Sequence, residues 1–124
     1  MEQHLRTHLK KFIEGYSIEV TPRSAANIES FKDVLPQDTR VYIAHIEHED
    51  IKAMVSTAKK INEEGFHAMP HFPARVIKNA AELNDWISMY QNDAGVNEAL
   101  LLAGGLSKPF GDFESSIELI ESGK

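Results

Sequence analysis

The chain reads as an α/β domain: a leading helix followed by four strand–helix units in a parallel sheet. Three observations predict this. Short β-branched runs alternate with longer segments whose apolar residues recur every three or four positions. The four strand candidates start about 24 to 32 residues apart, room for a strand and a crossover helix. No linker or low-complexity stretch interrupts the alternation, so residues 1–124 are expected to form one domain. With right-handed crossovers two architectures fit: an open four-stranded parallel sheet, or the amino-terminal half of a (β/α)8 TIM barrel, which closes at about 250 residues. Periodicity does not choose between them.

Taken in order, residues 2–14 (EQHLRTHLKKFIE) place Leu5, Leu9, Phe12 and Ile13 at helical spacing and stop at Gly15, giving a helix able to plug or flank a sheet. Tyr16 to Pro22 is the first strand. Ser24 can then cap a helix running to about Val34, with Ala25, Ile28, Phe31 and Leu35 on its apolar face and Pro36 ending it. Arg40 to Ile46 (RVYIAHI) has the compact β-branched character of a buried second strand. Ile51, Met54, Val55, Ala58 and Ile61 define the next helix, with Glu49 and Asp50 at its positive start and Gly65 at its C-terminal cap.

Phe66 to Phe72 (FHAMPHF) is the third strand, with an irregular far end expected because Pro70 has no ladder donor. Asn79 and Glu82 have capping-box spacing, and Leu83, Trp86, Ile87 and Tyr90 carry a helix to Gly95. Glu98 to Ala103 (EALLLA) makes the fourth strand, followed by Gly104-Gly105, where backbone can approach a ligand closely. Leu106 to Gly111 reads as a loop over the strand ends. Asp112 can cap a final helix bearing Phe113, Ile117 and Ile120.

Composition narrows the function classes. The chain has 42% hydrophobic residues but no apolar run near the roughly 20 residues of a membrane span. It has no cysteine, and the N-terminus lacks a secretory apolar core, so a cytoplasmic location is expected. The net charge of −6, with no Lys/Arg cluster interleaved with aromatics, disfavours nucleic acid and membrane as partners.

The chemistry centres on Tyr16-Ser17-Ile18-Glu19-Val20-Thr21-Pro22. Alternation puts Ile18 and Val20 on one face and Ser17, Glu19 and Thr21 on the other, so the strand carries one carboxylate on its non-core side near the functional end of a parallel sheet. A solvated carboxylate, or one paired with Arg23 or Arg40, is the plainer interpretation. His45, Glu47, His48, His67 and His71 form a second group. They would make a divalent-metal site if the loops converged, although their spacing matches no compact ligand signature. Gly104-Gly105 with Lys108 lacks the spacing of a phosphate loop, which leaves a tight turn. A third possibility is a non-catalytic half-barrel subunit with an exposed apolar sheet interior.

The order of motifs resembles the amino-terminal half of the methylenetetrahydrofolate reductase family, over nearly all of the chain after residue 15. Ser17-Ile18-Glu19-Val20-Thr21-Pro22 is similar to that family's S-F-E-F-F-P, Met69-Pro70-His71-Phe72 to its A-P-H-L, and Leu102-Ala103-Gly104-Gly105-Leu106 falls where it has L-R-G-D-L. The resemblance implies half of a (β/α)8 barrel and an FAD-dependent oxidoreductase of one-carbon metabolism. Glu19 would be the general acid that protonates the folate as its methylene bridge opens to an iminium ion, which a flavin hydride then reduces. A carboxyl desolvated at a barrel mouth suits that task. His71 falls on a flavin-contacting histidine, and Ala44, Ala103, Gly104 and Gly105 fall at cofactor-binding positions. The family's strand-two Thr and strand-four Arg and Asp are replaced by Ala44, Ala103 and Gly105, which removes polar contacts to the flavin. Partners implied are the folate substrate and either a second copy or the remainder of a barrel.

Overall fold

The computed structural model describes Met1–Lys124 as an α/β domain built on one open, all-parallel sheet. Its strands β1 (Ile18–Val20), β2 (Arg40–Ile43), β3 (His67–Pro73) and β4 (Leu100–Leu102) lie in the order β1-β2-β3-β4. Five helices accompany it: α1 (Glu2–Ile13), α2 (Pro22–Ala26), α3 (Ile51–Glu63), α4 (Ala80–Ala94) and α5 (Ser116–Glu121). No helix is long and apolar enough to cross a membrane.

Register fixes which side chains share a face. Ile18, Val41 and Ala68 are lateral partners, Glu19, Tyr42 and Met69 form the next row, and Val20, Ile43 and Pro70 the one after. Because side chains alternate, the first and third rows point one way and the middle row the other. Val20, Val41, Ile43, Ala68 and Phe72 pack with Met54, Ala58, Ile61, Leu83, Trp86 and Tyr90 into a single core between sheet and helices. Sequential strand order with right-handed crossovers puts the crossover helices on this one side. The opposite face carries Glu19, Tyr42, Met69 and His71 and has no helical layer.

The helices that clamp the core start and stop where capping chemistry requires. Asp50 accepts a hydrogen bond from the Lys52 amide at 2.9 Å to open α3, and Met54, Val55, Ala58 and Ile61 are its buried stripe. Asn79 accepts from the Glu82 amide at 2.9 Å to open α4, and Gly95 closes it at φ 66°, a left-handed conformation natural to glycine. Glu82 reaches back to the Lys78 amide at 2.6 Å, one residue short of a strict capping box.

Other expectations are corrected. The helix expected from Ser24 to Val34 is the five-residue α2 followed by a 3-10 turn at Phe31–Asp33. Thr21 is the cap, Pro22 occupies the first helical position, and Ser24 closes the reciprocal box at the third. Ser115 rather than Asp112 caps α5, leaving Phe113 buried ahead of the helix and Ile117 and Ile120 exposed.

Far from fraying at Pro70, β3 is the longest strand. The His67 amide donates to Thr39 O on the β2 side and the Ala68 amide turns the other way, to Asn62. That alternation sends the Pro70 nitrogen toward β4, whose pairing begins only at His71 with Leu100. The missing donor costs no ladder bond. Asn62 covers the same gap, accepting from Ala68 N and donating to Ala94 O, both at 2.9 Å.

The leading helix neither plugs nor flanks the sheet. None of its residues is buried, and Leu5, Leu9, Phe12 and Ile13 all face solvent.

Candidate functional site

Glu19 and His71 come together on the uncovered face. Position 19 lies in the centre of β1, opposite Tyr42, so its side chain projects away from the core. His71 belongs to the same face of β3, one alternation beyond Met69. Glu19 Oε1 stands 3.1 Å from His71 Nε2, and the Tyr42 ring lies edge-on to the imidazole at 6.4 Å between centroids. The approach is close but not aligned, and Nε2, which is buried, has no hydrogen-bond partner.

The two groups have opposite surroundings. His71 is 8% exposed, and burial holds its pKa below 6.5, with the Glu19 carboxylate partly offsetting that effect. Burial and the Glu19 carboxylate thus act on the imidazole in opposite directions, burial the stronger. The Glu19 side chain is 59% exposed, so it lacks the desolvated setting expected of an acid at a barrel mouth. That exposure on edge strand β1 matches the plainer expectation of a solvated carboxylate, while its alternative, a pairing with Arg23 or Arg40, is not met, and Arg40 approaches Glu98 at 3.8 Å.

The remaining positions implied by the resemblance ring the carboxyl ends of the strands without touching this pair in a polar contact. The Ala44 amide donates to Val20 O at 2.8 Å, which extends the β1–β2 ladder one residue past β2. Ala103 O accepts from the Arg75 amide at 2.9 Å. Gly104, at φ +99°, passes so close to Pro73 that an added Cβ would lie 3.1 Å from the Pro73 Cβ, whereas Gly105 is open to solvent.

The histidines do not converge. His45 lies on the core side, stacked on Trp86 with ring centroids 5.0 Å apart and 12° between planes. Burial first, and the neighbouring His71 second, hold its pKa below 6.5 against the opposing pull of Glu82. His67 sits at the amino end of β3 beside Asp38, and His48 is a surface residue beside Glu47. No group of three or more His, Asp or Glu side chains is arranged to hold a metal ion.

Sequence reasoning missed Arg75. Its Nη1 donates to Leu106 O at 2.9 Å and its Nε to Glu114 O at 3.0 Å, while its carbonyl accepts from the Phe110 amide at 2.8 Å. One residue thus ties down the loop after β4, and Gly111 presses against the Lys78 backbone where no side chain fits. The available signal was an arginine two residues after the proline that ends β3. The loop forms one wall of a cleft of about 430 Å³ at the strand ends, lined by His45, Glu82, Trp86, Val76, Leu106 and Phe110. A larger depression of about 560 Å³ lies between α3 and α4, on the outer surface and remote from the strand ends.

A pyrophosphate calls for cations or free amides; at the β4 end the Arg75 guanidinium is committed to two carbonyl oxygens, while the amides of Gly104 and Gly105 donate to nothing within the chain. The chain matches no model of a known protein family.

Proposed function

We propose that the chain is half of a (β/α)8 barrel that handles folate in the manner of methylenetetrahydrofolate reductases, with Glu19 as its acid. One observation carries the reading: a single carboxylate on the helix-free face of a parallel sheet of sequential strand order, 3.1 Å from a buried histidine. In a barrel of this kind that face turns inward, and its residues near the carboxyl ends of the strands reach the mouth where substrate binds. The Glu19 carboxyl gives its proton to the amine nitrogen of the methylene bridge as the carbon–nitrogen bond breaks. The bonding pair goes to that nitrogen, and the iminium ion remains on the other. His71 stands beside the carboxyl on its buried side. The bound substrate, with the missing wall of the barrel, supplies the desolvation that the exposed Glu19 lacks here. The hydride comes from a donor outside these four strands.

The replacement of the family's strand-four Arg and Asp by Ala103 and Gly105 supports one neighbouring reading, a folate-binding relative that does not retain FAD. A chemical hydride donor tests the proton step in either case. With cyanoborohydride as reductant, the chain should convert methylenetetrahydrofolate to methyltetrahydrofolate above the buffer rate, and Glu19→Gln should return it to background with folate binding retained. Equal rates with and without Glu19 sink the acid role. Stoichiometric FAD on the purified chain would show that other residues hold the cofactor and would favour the full reductase.

A further inference from the structure

Each edge of the sheet is a three-residue strand with no strand paired beyond it, and β1 carries the single charge of Glu19. In β4 the outer strand is three leucines, Leu100–Leu102, with Leu100 39% exposed. At the other side β1 is Ile18-Glu19-Val20. Neither edge strand contains the lysine or proline that commonly blunts an edge, and no helix covers the face between them. That face exposes or half-exposes Tyr42, Leu100 and Leu102, and it holds His71 with an unpartnered Nε2.

We propose that a second copy of this chain covers this face, β4 of each copy pairing with β1 of the other to close an eight-stranded parallel barrel. The inference rests on the half-barrel part of the reading above. Strand direction selects the occupant. A partner for β4 must present a parallel strand edge, and the free parallel edge this chain offers is β1. Joining β4 to β1 of the partner preserves the sequential order, with every helix still outside. A twofold axis then makes both junctions at once, and four strands from each copy give eight, the number at which side chains fill a barrel interior. Each copy's Glu19 and His71 would face the lumen, so the pair gains its missing wall from the partner.

The test uses the whole chain, whose lack of cysteine permits clean labelling. Light scattering should give twice the chain mass. A mixture of Ser17→Cys and Leu100→Cys chains, both positions at the amino ends of edge strands, should be joined by a short bismaleimide as a mixed dimer in preference to either like pair. Leu100→Lys should yield a monomer whose far-UV circular dichroism still shows the α/β fold. A parent chain that stays monomeric at all concentrations overturns the proposal. So do oligomers that grow without limit, which mean edges that join but do not close, and a Leu100→Lys chain that still dimerises. A dimer that forms but binds no folate retires the folate reading and leaves the assembly standing.

Discussion

The Glu19 carboxylate meets Nε2 of His71 at 3.1 Å above β2, although β1 and β3 are not neighbours in the sheet. Tyr42, between them in the row, stands edge-on to the imidazole rather than filling the gap. Removing the carboxylate charge should therefore act directly on the histidine. In Glu19→Gln the His71 pKa, already below 6.5 through burial, should fall further because the one influence raising it is gone. Imidazole chemical shifts followed against pH measure this. An unmoved His71 titration means that the two groups do not face each other in solution.

His45 and His71 also predict a pH dependence of stability. Both have folded pKa values below the unfolded value of about 6.5. The unfolded chain thus takes up protons more readily, and stability falls with pH below 6.5, while above it the two groups contribute no slope. Glu82 beside His45 and Glu19 beside His71 moderate the effect. His45→Phe keeps an aromatic ring on Trp86 and removes one of the groups, so its melting temperature should fall less steeply between pH 6.5 and 5 than the parent's. Parallel curves would rule out a contribution from His45.

Tyr90 is buried against Phe72, with ring centroids 5.4 Å apart, and its hydroxyl has no partner. Burial alone raises its pKa. An unpaired buried hydroxyl costs about 1 to 3 kcal/mol, so Tyr90→Phe should raise the denaturant midpoint with an unchanged m-value. A loss of stability would reveal a partner for that oxygen, such as a buried water.

Arg75→Ala should cost about 1.5 kcal/mol, the lower end for hydrogen bonds to a charged group because the guanidinium is half-exposed. It should also make residues 106–112 the first site of proteolysis. Gly111→Ala should cost about 1 to 3 kcal/mol as overpacking, since its Cβ would fall 2.0 Å from Lys78 O, a backbone atom with little room to yield. Unchanged cleavage in Arg75→Ala would mean that the loop is held elsewhere.

The leading helix offers a contrast within one chain. Phe12 is 85% exposed and Met54 fully buried. Phe12→Ala should leave the stability of the monomer within about 0.5 kcal/mol, while Met54→Ala should cost about 2 to 5. Equal losses in urea titrations would place α1 against the domain.

Local chemistry made α3 and α4 legible, since Asp50, Asn79, Gly65 and Gly95 each mark a helix end by their own side-chain or backbone preference. Alternation also put Glu19 on the correct face. Where two local signals competed, the reading failed: Thr21 and Ser24 are both caps, and Pro22 between them decides for Thr21. Pro70 misled because its cost depends on where β4 begins, which no local pattern records. The meeting of Glu19 with His71, and the grip of Arg75 on two distant carbonyls, join segments far apart in the chain. Such contacts leave no periodic trace.

Asn62 takes the place of a sheet neighbour at the start of β3, where β4 has not yet arrived. It makes the rim at the amino ends of the strands a chassis, anchored by the chain's own side chains and independent of whatever closes the sheet. Change is then tolerated unequally at the two ends. Loop grafts and insertions at the opposite rim, beyond Ala44 and Gly105, can alter what the molecule recognises while the register of β3 survives. Replacing Asn62 with an apolar residue of similar size would loosen that register and scramble every site built upon it.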